Sequence, residues 1–264
     1  MKRSVDITAL FLDIGGLLLT NGWDRAMRRR AAETFGLEFD EMNERHNLTF
    51  DTYERGLLSL EEYLQRVIFH QPRSFTPGQF RTFMFEQSRP LGDNLEFFHH
   101  IAGAYHLKVA AISNEGRELA LHRIRTFHLG ELMDFFVLSS FVRFRKPDED
   151  IFRLALDIAQ VPPERALYID DRLMFAEVAH GLGIRSIYHE SLDQTRAALA
   201  ELGARVFAIA SALPGSDAIR ISVAAFNSAA ELVRFTEAVE LLAAHTPETI
   251  PPRRTLAILG EDGP

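Results

Sequence analysis

The chain has 264 residues, 47% of them hydrophobic, enough to bury one full α/β core with a modest insertion. It contains no cysteine, which excludes a disulfide framework, a thiolate nucleophile and a cysteine-ligated zinc site. A net charge of −8 argues against nonspecific binding to nucleic acid, and no run approaches the about 18 apolar residues of a membrane span.

The charged start, Met1-Lys2-Arg3-Ser4-Val5-Asp6, leads into an apolar run that Asp13 interrupts before a signal-type segment can form, so a cytoplasmic protein is expected. That run, Ala9-Leu10-Phe11-Leu12, predicts a buried strand delivering Asp13 into the turn Gly15-Gly16. Residues 21–90 carry helical signals and little strand pattern. Helices are expected over Glu41–His46, Tyr53–His70 and Thr76–Gln87, and Ser59-x-x-Glu62 has the spacing of a capping box. The basic run Arg25 to Arg30 reads as a solvated helix face from which Arg25 or Arg28 could turn toward a ligand. Trp23, the single tryptophan, reads either as a pocket wall or as a core anchor. Arg45, His46 and Tyr53 are ligand-contact candidates whose competing role is surface or packing.

After residue 90 the chain alternates. Strands are expected near 107–113, 135–139, 166–170 and 184–188, with helices over 116–128, 148–160, 172–182 and 192–202. This spacing implies parallel strands joined by right-handed crossovers, an α/β fold with a Rossmann-like parallel sheet. In the last 60 or so residues, Ser211 to Asp217 reads as a linker or turn, Ala218 to Ala224 as a strand, Ala229 to Ala244 as a helix and Pro251 to Pro264 as a frayed end. One strand and one helix do not fold alone, so this extension is expected to pack on the core or on a second copy of the chain, forming a homodimer.

Four fragments place polar groups at or beside the carboxyl ends of these strands, the edge where open α/β sheets bind ligands. They are Asp13 with its glycines, Ser113-Asn114, Lys146 before Pro147, and Asp170-Asp171. Taken singly, each is an ordinary cap, turn or loop. Together they supply a carboxylate nucleophile, hydroxyl and amide donors, a cation and a carboxylate pair for a metal. A phosphate monoester is a dianion, and an aspartate can attack it only where fixed positive charge offsets the repulsion. Lys146 would supply one cation. Asp171 and Asp170 offer the hard oxygen ligands suited to Mg²⁺. Ser113 and the amides around Asn114 can donate to the transferring phosphoryl group, and Gly15, Gly16 and Asn114 are candidate substrate-binding positions.

In this order and at these distances the four fragments resemble the motifs of the haloacid dehalogenase (HAD) superfamily, over roughly residues 5 to 203. The resemblance implies a core of residues 1–20 and 91–203, a helical cap of 21–90 inserted after the first strand, and a C-terminal extension of 204–264. It implies that Asp13 forms an aspartyl-phosphate. It also implies that Asp13, the backbone carbonyl of Gly15 and Asp171 ligate the metal, with Asp170 as a water-mediated or outer neighbour. Most HAD phosphatases carry a second Asp two residues after the nucleophile, as general acid and base, a contribution worth about 10² to 10⁴ in rate. Here that residue is Gly15, and Asp13-Ile14-Gly15 is similar to the Asp-x-Gly branch typified by bacterial glucose-1-phosphate phosphatases. Phe175 stands where the family often has Asn or Asp, which predicts weaker hydrogen bonding around the lysine or the metal ligands.

Three readings follow: a Mg²⁺-dependent phosphatase of a small phosphorylated metabolite such as a sugar phosphate, a metal-independent dehalogenase-type hydrolase, and a phospho-ligand-binding module that has lost catalysis. Retention of Asp170-Asp171 favours the first, because dehalogenases need no metal. The stretch Ile219 to Ser228 with the helix after it is similar to the end of class V aminotransferases, and no pyridoxal-phosphate site is implied.

Overall fold

The computed structural model describes residues 7–201 and the short strand pair 211–212 and 219–220. Five parallel strands form one sheet: β1 (Ala9–Leu12), β2 (Lys108–Ser113), β3 (Phe135–Leu138), β4 (Ala166–Asp170) and β5 (Arg185–Tyr188). Their order is β3-β2-β1-β4-β5, with β1 central and Leu12 opposite both Ala111 and Ile169. The strand order reverses at β1, so the carboxyl ends of β1, β2 and β4 meet at one crevice.

Both faces of the sheet are buried, which is why β1 reads as continuous apolar sequence rather than as alternation. Leu10, Leu12, Val109 and Ile169 point into one cluster with Phe98 and Ile101 of α5 (Asn94–Tyr105). Phe11, Ala110, Ile112 and Tyr168 point into the other, against Ile151, Phe152 and Ala155 of the helix Glu149–Ala159. Helix α5 has no counterpart among the sequence expectations. Phe98 and Ile101 are its buried apolar residues, and Leu95, Phe97, Ala102 and Tyr105 pack beside them half-buried.

Between β1 and α5 lie α1 (Arg25–Phe35), α2 (Phe39–Glu54), α3 (Leu60–Val67) and α4 (Pro77–Glu86). They surround their own apolar cluster, which includes Tyr53, Tyr63, Phe80 and Met84 and takes in Leu119 from α6 (Arg117–Thr126). Capping boxes at Ser59/Glu62 and Thr76/Gln79 start α3 and α4. The helix expected over Tyr53–His70 is two helices. Its first residues continue α2, and the chain turns at Gly56, whose φ of 65° and close approach to the Ser140 carbonyl leave no room for a side chain. Ion pairs of Arg145 with Glu54 (2.6 Å) and of Arg55 with Asp148 (3.2 Å) join α2 and the turn after it to the loop beside Lys146.

Ser211–Ala212, expected within a linker, pairs antiparallel with Ile219–Arg220, the described part of the expected strand. The remainder of the extension, including the expected helix 229–244, the end 251–264 and most of the aminotransferase-like stretch, lies outside the described residues. Among the described residues no helix is long and apolar enough to cross a membrane.

Candidate active site

Asp13 leaves the end of β1 with its amide bonded to Ile169 O (3.0 Å) on β4 and its Oδ1 accepting from the Ile14 amide (2.8 Å). Lys146 Nζ lies 3.0 Å from that same Oδ1. The lysine is 1% exposed, and its ammonium also donates to Asp170 Oδ2 (2.6 Å) and to the Tyr168 hydroxyl (3.1 Å), so all three N–H groups are used. Burial works against its charge, but the carboxylates of Asp13 and Asp170 outweigh burial and hold Lys146 above its ordinary pKa. The ring of Phe175 approaches Nζ at 5.0 Å.

The weaker orientation expected from Phe175 is therefore offset by Tyr168, which the sequence reading passed over as part of an apolar strand. Its signal was its place two residues before Asp170, on the same face of β4. Asn114 grips the lysine's backbone on both sides, accepting from Lys146 N (2.8 Å) and donating to Lys146 O (2.7 Å). Its side chain thus positions Lys146 instead of pointing at a ligand.

Burial pushes the Asp13 carboxyl up to about 7; Lys146 and the Ser113 hydroxyl pull it down, and Asp170 and Asp171 push it up. Asp13, Asp170 and Asp171 each offer an oxygen within 4.8 Å of the others, a set suited to a hard divalent cation. The two neighbours differ. Asp170 is fully buried and spends both oxygens within the protein, Oδ2 on Lys146 and Tyr168 and Oδ1 on the Arg172 amide (2.7 Å). Asp171 is partly exposed, and its Oδ2 accepts from Asn21 Nδ2 (3.3 Å). Burial raises its pKa, with Asp170 adding to the effect.

Gly16, at φ +78°, lets the backbone run against Asp171, since a Cβ there would fall 2.0 Å from Oδ2. Gly16→Ala is expected to cost about 1–3 kcal/mol and to displace that carboxylate. Urea unfolding measures the cost, and a variant as stable as the wild type would contradict it.

The crevice opens into a cavity of about 690 Å³, with the sheet edge on one side and α1, α2 and α4 on the other. Trp23 serves both roles considered for it: it lines the cavity, packs edge-on against Phe80 and donates from Nε1 to the Tyr63 hydroxyl (2.7 Å). Tyr63 OH also lies 2.8 Å from His46 Nδ1, and with the indole N–H donating to it, a Tyr63 O–H donated to a neutral imidazole satisfies all three groups. Burial, helped by Arg28, lowers the His46 pKa to about 3.

The unfolded chain therefore binds one proton more between about pH 6.5 and 3, and stability from this group is lost as pH falls through that window. The difference between wild type and His46→Gln in unfolding free energy is expected to change by up to about 1.4 kcal/mol per pH unit from pH 6 to 4. Parallel curves would rule this out.

Arg28 is buried and bonded to Asn43 and to Trp23 O, a structural guanidinium that holds α1 to α2. Arg45 lies outside the cavity and pairs with Glu41 on the surface.

At Gly15 the backbone is unstrained for any residue, yet a Cβ would meet Asn21 Oδ1 at 2.8 Å and approach Arg123 Nη1 at 3.6 Å. The space beside the missing second carboxylate thus belongs to Asn21 and to a buried ion pair, Arg123 with Glu115. Sequence reasoning missed all three. Glu115 follows Ser113-Asn114 directly, which was its only signal.

A family model described as haloacid dehalogenase-like hydrolase matches residues 7–183. A phosphorylated carbohydrates phosphatase of Thermotoga maritima is 28% identical over 210 residues, covering 74% of this chain and 91% of that protein. A solved HAD family enzyme of Bacteroides thetaiotaomicron, in complex with magnesium and inorganic phosphate, has a TM-score of 0.60 at 21% identity, covering 70% of this chain and 96% of its own. An L-2-haloacid dehalogenase gives 0.51 at 18%, covering 71% and 87%. At such identities the two structures speak for the fold alone. With Asp13, Lys146 and Asp170-Asp171 gathered at one crevice and a family match spanning well over half of its length, the chain belongs to the haloacid dehalogenase-like hydrolases.

Proposed function

We propose that the protein is a Mg²⁺-dependent phosphomonoesterase acting on a small phosphorylated metabolite through an aspartyl-phosphate on Asp13. The observation that carries this reading is the contact of Lys146 with Asp13 beside the Asp170-Asp171 pair, which sets a carboxylate nucleophile next to fixed positive charge and hard oxygen ligands. Ion pairing and the Ile14 amide hold the Asp13 carboxylate in one orientation, so little reorganisation precedes attack. An Asp13 oxygen attacks phosphorus, the P–O bond to the alcohol breaks, and water then releases phosphate from the acyl phosphate. Lys146 and Ser113 steady the phosphoryl oxygens.

Asp13, Asp171 and the Gly15 carbonyl would hold Mg²⁺, with Asp170 supporting from behind through Lys146. When bound, the ion supplies positive charge that offsets the repulsion between carboxylate and phosphate. The carbohydrate phosphatase relative from Thermotoga supports a sugar phosphate substrate, and the carboxylates of Asp13, Asp170 and Asp171 at the sheet edge support the metal. Residues 21–90 are read as a cap that closes the cavity over the core of 1–20 and 91–203 and excludes water. With glycine at position 15, departure of the alcohol relies on water or a neighbouring group, so a modest rate is expected.

The test is phosphate release from hexose, pentose and nucleotide monophosphates with Mg²⁺ and with chelator. Release that chelator abolishes supports the proposal. Turnover of haloacids without metal would replace it by the dehalogenase reading, and no release from any ester would overturn it.

A further inference from the structure

The water that releases phosphate from Asp13 has no residue to hold it in the chemistry above, because Gly15 lines the cavity without a side chain. Asn21 stands at that place. Its Oδ1 is 2.8 Å, and its Cα 3.8 Å, from where a Cβ on Gly15 would lie, so the asparagine fills the space that a longer residue two positions after Asp13 would enter. Its Nδ2 donates to Asp171 Oδ2 (3.3 Å), and Asp171 in turn offers an oxygen within 4.8 Å of one on Asp13. A carboxylate only accepts, which sets the amide with Nδ2 toward Asp171 and Oδ1 toward Gly15.

The backbone on either side of Asn21 is pinned. Thr20 donates from Oγ1 to Gln87 O (2.7 Å), and its carbonyl accepts from Arg123 Nη2 (2.8 Å). Gly22 lies so close to Arg123 and Ser88 that a Cβ there would fall 2.3 Å from Nη2 and 2.9 Å from Oγ. Asn21 itself is half-buried and lines the cavity. Its Oδ1 is left without a partner among the described residues and, unlike Glu115 Oε2, is not sealed off. Neighbouring acceptors are engaged: Glu54 by Arg145, Glu115 by Arg123, and Asn114 by the Lys146 amide.

We propose that Asn21 Oδ1 holds the water that hydrolyses the aspartyl-phosphate. This rests on the phosphomonoesterase reading and adds a residue to its second step. The water oxygen bonds to phosphorus as the bond from phosphorus to the Asp13 oxygen breaks. The carboxylate leaves with the electron pair, one water hydrogen stays on the released phosphate, and the other passes to solvent as a proton. An amide oxygen accepts an O–H and so aims a lone pair of the water without taking its proton, the service a neutral side-chain amide gives to attacking water in phosphoryl transfer. Oδ1 carries no proton for a leaving alkoxide, so Asn21 serves the second step and leaves the first to other groups.

The experiment follows p-nitrophenyl phosphate by rapid mixing with Mg²⁺, because nitrophenolate leaves without an acid and makes dephosphorylation of the enzyme the slow step. In Asn21→Ala the burst of nitrophenolate is expected to keep its rate, and the steady rate after it to fall about 10- to 100-fold. Phosphate is expected to accumulate on Asp13 in the acid-quenched variant. KM should fall with kcat and leave kcat/KM within about threefold, since kcat/KM reports only as far as the first irreversible step. Burst amplitude counts competent sites, so lost protein is not mistaken for lost rate. Tyr188→Phe, at another residue lining the cavity, is expected to leave both phases unchanged. If Asn21 only props Asp171, kcat/KM falls as far as kcat and more Mg²⁺ is needed for half-maximal rate. That result, a steady rate equal to the wild type, no accumulated phosphate, or slowing confined to Tyr188→Phe would overturn the assignment and leave the phosphatase standing. No phosphate transfer to the wild type from this or any other monoester would remove both.

Discussion

Asp13→Asn is expected to lower phosphate release by about 10⁴-fold or more, the loss seen when a covalent nucleophile is removed from a site that otherwise stays assembled. The fold should not suffer. Burial and the charges of Asp170 and Asp171 already push the Asp13 carboxyl up to about 7, so a neutral amide of the same shape removes a costly ionised group. Lys146 keeps Asp170 and Tyr168 as partners. Unfolding free energy within about 1 kcal/mol of the wild type, or above it, is the expected companion result. Turnover retained in this variant would end the aspartyl-phosphate mechanism, whereas lost turnover in a badly destabilised variant would leave catalysis and folding confounded.

Lys146→Met is expected to have the largest effect on stability, about 3–5 kcal/mol near pH 8, together with loss of turnover. The lysine is the only cation in direct contact with both Asp13 and Asp170 among the described ion pairs, and Asp170 is fully buried. Without it two carboxylates face each other out of water. The cost should shrink as pH falls, because a carboxyl whose pKa is raised takes up a proton and the repulsion disappears. Denaturant unfolding of both proteins from pH 8 to pH 5 checks size and sign together. A loss below about 1 kcal/mol, or one that grows toward acid pH, would mean that the cation does not hold the pair as described.

Much of the site was legible because its signals are local. An apolar run closed by Asp13, Ser113 or Asp170 is a strand delivering a polar group to a sheet edge, whatever else the chain does. The alternation of strands and helices after residue 107 was enough to infer a parallel sheet, and β4 falls on the expected residues 166–170. The resemblance implies different duties for Asp170 and Asp171, and the two differ in the structure: Asp170 is fully buried and bonded through both oxygens, Asp171 partly exposed.

Less local features escaped. Tyr168 looked like core, and Glu115 like an ordinary residue after a motif. Arg28, expected on a solvated face from which it could turn toward a ligand, lines the cavity but is buried and bonded to Asn43 across to α2.

The order of the strands' polar termini, the parallel sheet and the residue types available at its edge are properties of the amino-acid sequence by itself. They depend on burial patterns and turn chemistry within a few residues of each other. Tertiary structure decided the contacts themselves: Lys146 meets Asp13 across 133 positions of chain, the Asn114 side chain holds the Lys146 backbone, and Tyr53 closes on Gly116. Such contacts depend on how α1 to α4 dock on the sheet and on which way each side chain turns once packed, and close packing sets those directions over the whole molecule.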